Sequence, residues 1–276
     1  MIRFLILLAL ALRVSAQDMM IREVFDAKTD THVEVLALFT KPSPGGYFPV
    51  RVVIANNLQS DRQVRLDFSS GQSYGTELTS RSSFSFTAAA GKTLTRDIMV
   101  PLSPPNGHYG NNNVEVRMTG SLGQGSNSIY SEVGPSQPSV LMSETLYTPN
   151  ASTLDSEIHK KSGTSYRGTS DFSGKFDPRQ LPADWLAFSG YDSLIMTDSN
   201  WTDIPPGAKN AILSWVRLGG QLVIYSTSSP TRASLGLPEE AGYGRIDMES
   251  IPSSLMLDAA ETIKMVTIPK VDKPRQ

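Results

Sequence analysis

From residue 20 to residue 133 the chain alternates apolar and polar side chains in short runs. Val64-Arg65-Leu66-Asp67-Phe68 and Val114-Glu115-Val116-Arg117-Met118 put every second residue on one apolar face, the period of a half-buried strand. Val33 to Phe39, Phe48 to Ala55, Ser82 to Thr87, Thr93 to Val100 and Ser128 to Val133 continue the series. Turn-forming stretches separate them: Pro42-Ser43-Pro44-Gly45-Gly46, Asn56-Asn57, Ala90-Gly91-Lys92 and Pro104-Pro105-Asn106-Gly107. Short strands so punctuated predict an antiparallel sandwich of immunoglobulin-like type over residues 17–134.

Gly134-Pro135-Ser136-Gln137-Pro138 breaks this pattern. Neither a helix nor a central strand tolerates two prolines there, so residues 135–138 read as a linker. A different pattern follows over 139–268. Ser139 to Ser143 is a short apolar strand, and Ser152-Thr153-Leu154-Asp155 resembles a capping box that opens a helix to about Lys161. Ser193 to Thr197 is a continuous apolar run. Beyond Pro205-Pro206, Ala208, Ala211, Ile212, Trp215, Val216 and Leu218 form a helical stripe. Gly219-Gly220 caps it and Gln221 to Tyr225 resumes as a strand. Strand, helix, strand with tight connections is a βαβ unit of a parallel sheet. Gly242 to Ile246 reads as the start of a further strand, and 269–276 as a loose polar tail. The expected fold class is thus α+β multidomain: an immunoglobulin-like β-sandwich followed by an α/β three-layer domain.

Leu181-Pro182-Ala183-Asp184-Trp185, Tyr191 to Met196 and Ala211 to Ile224 stand in order in this second half. Over residues 139–250 the chain resembles the class I glutamine-amidotransferase-like (flavodoxin-like) domain of uncharacterised bacterial envelope proteins. The resemblance implies a flavodoxin-like sheet, a β-sandwich before it and membrane spans after it. It also implies a cysteine nucleophile with His and Glu partners, which this cysteine-free sequence cannot supply.

Residues 1–16 have the layout of a signal peptide: Arg3, an apolar run from Phe4 to Leu12, then Val14-Ser15-Ala16 before Gln17. Export is therefore expected, to the periplasm or cell envelope. The absence of cysteine removes disulfides and thiolate metal sites from consideration. A formal charge of 25 − 27 = −2, without a basic run, argues against nucleic acid as a partner. No stretch reaches membrane-spanning length.

Candidate chemistry is sparse. His32, His108 and His159 are scattered, and the sequence holds no H-E-x-x-H, calcium loop, Walker or G-x-G-x-x-G motif, so no metal or cofactor is expected. The Asn106 to Asn113 loop offers carbonyl oxygens to a calcium ion, or is an ordinary polar hairpin. No G-x-S-x-G elbow presents a serine. Position is the remaining guide, because ligands of open parallel sheets bind beyond the carboxyl ends of the strands. That criterion selects Ser143, Glu144, Asp198 and Ser226, with Thr197, Thr227 and Ser228 beside them. Trp201, beside a strand end, is the expected surface aromatic. Asp198 faces the cleft or caps the following turn. These readings favour a non-catalytic envelope protein that binds or scaffolds an envelope or membrane-protein partner. The alternatives are a hydrolase using a serine or carboxylate in the cleft, and a carbohydrate-binding protein.

Overall fold

The computed structural model describes residues 19–71, 79–103, 111–132, 138–162 and 173–266. The expected signal segment, residues 135–137 of the linker, the 269–276 tail, His108 and most of the Asn106–Asn113 loop lie outside them.

The alternating runs pair into two antiparallel four-stranded sheets. Strands β1 (Met19–Asp26), β2 (Thr31–Ala37), β3 (Tyr47–Asn56) and β6 (Lys92–Pro101) form one in the order β1-β2-β3-β6. Strands β4 (Arg62–Gly71), β5 (Ser80–Ala88), β7 (Asn111–Gly120) and β8 (Gly125–Glu132) form the other as β5-β4-β7-β8. The alternation decides what faces inward: Val33, Val35, Val50, Val52 and Ile54 from the first sheet, and Val64, Leu66, Phe68, Val114, Val116 and Met118 from the second, are all buried. Gly120 has φ +141°, and a Cβ there would lie 2.3 Å from the Gln63 carbonyl oxygen, so only glycine fits where β7 turns past β4.

The second half forms a five-stranded, all-parallel sheet in the order β10-β9-β11-β12-β13. In chain order its elements are β9 (Val140–Ser143), α1 (Glu144–Ser162), β10 (Ser173–Phe176), β11 (Ser193–Thr197), α2 (Asp198–Asp203), α3 (Pro206–Arg217), β12 (Gln221–Ser226), β13 (Arg245–Ser250) and α4 (Ala259–Val266). On one face Val140, Met142, Ile195 and Val223 pack with Leu146, Leu154 and Ile158 of α1 and Ile263 and Val266 of α4. On the other, Leu141, Leu194, Met196, Leu222 and Ile224 pack with α3 through Ala208, Ile212 and Trp215, in a core continuous with that of the sandwich. Gly220 permits the tight return from α3, since a Cβ would sit 2.2 Å from the Trp215 ring.

This architecture corrects the expected fold class. Strand makes up 44% and helix 25% of the described residues, so the molecule is mostly β: a sandwich with a parallel sheet joined to it. A flavodoxin- or amidotransferase-like three-layer domain needs a helical crossover between each pair of successive parallel strands. Here the β10–β11 connection holds only the short 3-10 turns Pro178–Gln180 and Trp185–Phe188, and the β12–β13 connection only Ala233–Leu235. Pro178, Pro182 and Gly190 in the first, and Pro230, Gly236 and Pro238 in the second, explain why no long helix forms there.

The sandwich takes over part of the missing cover. Phe39 is fully buried, with ring centroids 5.8 Å from Phe188 and 5.6 Å from Tyr191, and Phe188 continues to Trp215 at 6.0 Å. Backbone joins the halves as well: Phe39 bridges Phe176, the Thr40 N–H donates to the Lys175 carbonyl at 3.2 Å, and the Tyr191 hydroxyl donates to the Lys41 carbonyl at 2.6 Å. Burial pushes the Tyr191 phenol pKa well up, so it remains a neutral donor. At Gly190 a Cβ would stand 1.9 Å from the Gly45 carbonyl oxygen, which is how closely the two backbones approach. Among the described residues no helix is long and apolar enough to cross a membrane.

Candidate functional site

The strand order reverses between β10 and β11 around β9, so the carboxyl ends of β9 and β11 flank a topological switch point, the crevice where open sheets place ligands. Ser143 ends β9 with no exposed surface, and its Oγ has no hydrogen-bond partner. Glu144 opens α1 and its Oε1 lies 3.3 Å from the Lys175 ammonium, on the β10 side. On the β11 side Thr197 caps α2. Its Oγ1 accepts from the Asn200 N–H at 3.1 Å, while Asn200 Oδ1 accepts from the Thr197 N–H at 3.3 Å, a reciprocal capping box. The Asn200 amide also donates to Thr145 Oγ1 at 3.2 Å and so spans the crevice.

Asp198 is the first residue of α2. Its Oδ2 accepts from Ser226 Oγ at 2.5 Å and from Ser228 Oγ at 3.5 Å, and its Oδ1 accepts from the Ser199 N–H at 2.8 Å. Ser226 Oγ in turn accepts from the Ser228 N–H at 3.0 Å. Asp198 and Ser226 therefore meet, tying β11 to β12, whereas Glu144 turns to Lys175. The cap of the following turn is Thr197 rather than Asp198, whose carboxylate fastens the next strand.

Trp201 departs from expectation. It is 1% exposed, and its Nε1 donates to the Leu235 carbonyl at 2.9 Å. The capping box winds residues 198–203 into a helical turn, which carries the indole into the core containing Ile204 and Leu237. Lys209 covers the ring, its ammonium 5.6 Å from the centroid. Sequence reasoning passed over Thr145 and Asn200, although Thr197-x-x-Asn200 carries a capping-box spacing that marks a helix start.

A serine nucleophile needs a base that takes its proton, and Ser226 donates to the Asp198 carboxylate, a weaker base than the imidazole that fills that role in a Ser-His-Asp triad. His159 lies 159 − 144 = 15 residues into α1, about 22 Å back along the helix from the strand ends. Among the described residues no group of three or more His, Cys, Asp or Glu side chains is arranged to hold a metal. Beyond the cluster, a cavity of about 230 Å³ opens between β13 and α4, lined by Tyr225, Glu249, Asp258, Glu261 and Thr262. Burial, and after it the neighbouring Glu249, Glu261 and Asp247 charges, push the Tyr225 phenol pKa up, opposed by its hydrogen bond with Thr262.

No family model matches the chain, and no curated protein does. Among solved structures it is similar in part to a red sea bream transglutaminase, at 15% identity and TM-score 0.27, over 38% of this chain and 17% of that one. It is similar to a Paenibacillus sp. cycloisomaltooligosaccharide glucanotransferase at 13% identity and TM-score 0.30, over 73% of this chain and 29% of that one. A third likeness is to CsgH of R. palustris, at 17% identity and TM-score 0.21, over 36% of this chain and 91% of that one. The chain thus spans less than a third of the first two proteins, and similarities this weak carry no argument about function.

Proposed function

We propose that the chain is an exported cell-envelope protein that binds or scaffolds an envelope or membrane-protein partner and has no chemistry of its own. One observation carries this reading: the strand-end carboxylates Asp198 and Glu144 are each engaged by neighbouring side chains. The Asp198 carboxylate is engaged by Ser226, Ser228 and the Ser199 N–H, which leaves it fastening two strands. Support for export comes from the charged, apolar and small-residue sequence of positions 1–16. The shared core, which packs the parallel sheet against the sandwich, supports the scaffold reading.

Crosslinking in the intact envelope, followed by purification and mass spectrometry, tests the reading. A reproducible envelope-protein partner is the expected result, and recovery of the chain alone would count against it. The hydrolase alternative makes the opposite demand. It needs ester or amide turnover that disappears in folded Asp198→Ala and Ser226→Ala variants.

A further inference from the structure

The sandwich has one broad face that the parallel sheet leaves open. Residues of β5-β4-β7-β8 between the buried Leu66, Phe68, Val116 and Met118 point away from the core. Strand register aligns Arg81, Ser69 and Glu115 in one row across β5, β4 and β7, and Ser83, Asp67 and Arg117 in the next. These rows line a cavity of about 440 Å³. Its centre is fixed by a self-paired group. Arg65 Nε lies 2.9 Å from Asp67 Oδ1 and 3.1 Å from Oδ2, Arg65 Nη2 donates to Ser83 Oγ at 3.2 Å, and the Ser83 hydroxyl donates to Asp67. The Ser83 and Arg65 hydrogen bonds hold the Asp67 carboxyl below its usual range.

Arg81 and Arg117 flank it on opposite sides of β4. Both are exposed, and neither forms an ion pair with a described residue. Two inter-strand spacings and a two-residue offset along the strands separate their backbones, about 12 Å, which suits a repeating anion better than a single ion. On β8, Tyr130 lies opposite Asn113, on the same face as Glu115, and is 60% exposed. It offers a flat apolar surface beside a polar floor.

We propose that this face binds a carboxylate-bearing oligosaccharide, with Arg81 and Arg117 on its carboxylates, Glu115 and Asp67 accepting from its hydroxyls and Tyr130 against a sugar ring. The inference goes beyond the protein-partner reading above and stands independently of it. Guanidinium forks match carboxylates in plane. Peptide recognition draws on a sheet edge or on side-chain pockets, whereas this site lies on a sheet face floored by arginine, carboxylate and hydroxyl groups.

Isothermal titration of the full chain with a galacturonate hexamer and a neutral glucose hexamer tests it. The acidic sugar should bind, more weakly as salt rises, and the neutral one should not. Arg81→Ala and Arg117→Ala should each weaken binding about fivefold to tenfold while leaving the thermal unfolding curve in place. Arg96→Ala, an exposed arginine on β6 of the other sheet, should have no effect. Equal binding of both sugars, no binding of the acidic one, or losses no larger than that of Arg96→Ala would overturn the assignment. If crosslinking still captured a partner while the acidic sugar failed to bind, the glycan site would fall alone. Specific acidic-sugar binding without any captured protein would uphold the site and remove the scaffold reading.

Discussion

The two faces of the parallel sheet are built from equally apolar strands yet belong to different cores. The α1/α4 face closes on itself: Val140, Met142, Ile195 and Val223 meet only residues of the second half. The opposite face runs through Leu194, Met196 and Trp215 to Phe188, and from there to Phe39 and the sandwich interior. Strand patterning is the same on both, so what separates them is the length of the crossovers. On one face α1 and α4 together complete a private core, whereas on the other α3 covers only part of the sheet. Where proline and glycine cut the crossover to a 3-10 turn, the neighbouring sheet supplies the cover.

Phe39→Ala attacks the shared core and should have the largest effect, about 3–5 kcal/mol for a buried aromatic removed from a packed cluster. All three tryptophans lie in the second half, so their fluorescence follows the parallel sheet, while far-UV dichroism is dominated by the β-rich whole. Chemical denaturation should show both midpoints falling together. A fall in the dichroism midpoint alone would mean that the halves unfold separately and the joint core is not cooperative. This coupling was hidden in the sequence, where Phe39 reads as the end of one more strand. Its partners Phe188 and Tyr191 are about 150 positions away, and no local period reports a contact of that separation.

Ile195→Val probes the private face and should cost about 0.5–1.5 kcal/mol. Hydrogen exchange should quicken in α1 and α4 and stay unchanged in β2 and β3; equal quickening in the sandwich would erase the distinction between the faces. Here the sequence was legible only in part. β9, β11, α3 and β12 follow from apolar runs and a clean helical stripe. Helix α1 was expected from Ser152, yet it begins at Glu144. Its buried positions, Leu146, Asn150, Leu154 and Ile158, have perfect four-residue spacing, but an asparagine occupies one of them and Pro149 sits beside it. Asn150 is accommodated because its amide donates to the Leu146 and Leu255 carbonyls and its Oδ1 accepts from the Leu257 N–H, each at 2.8 Å. A buried polar residue satisfied by distant backbone breaks the apolar pattern without breaking the helix. The strand-end cluster was found from topology alone, because Asp198 and Ser226 follow apolar runs. The burial of Trp201 was not, since it depends on a six-residue helix too short to show a period.

The smallest effect is expected at the opposite edge of the sheet, where Asp192 precedes β11. Its Oδ2 accepts from the Ser139 N–H at 2.7 Å, anchoring the start of β9. Burial raises the carboxyl pKa, and the Ser139 hydrogen bond offsets that only in part. A carboxyl with a folded pKa above its unfolded value holds more protons in the folded state between the two, so its contribution to stability falls as pH rises through that window. Asp192→Asn keeps an oxygen for the Ser139 N–H and removes the ionisation. Unfolding free energies measured against pH should therefore show a constant offset between the two proteins in acid, below the ordinary carboxylate range. The variant should gain on the wild type as pH climbs from the ordinary carboxylate range to the raised value, with no further gain above it. A change in the other direction would mean that the charged hydrogen bond to Ser139 outweighs the burial of Asp192. The amino edge of the sheet would then resemble the carboxyl edge, where Asp198 ties two strands through its hydrogen bonds to Ser226 and Ser228.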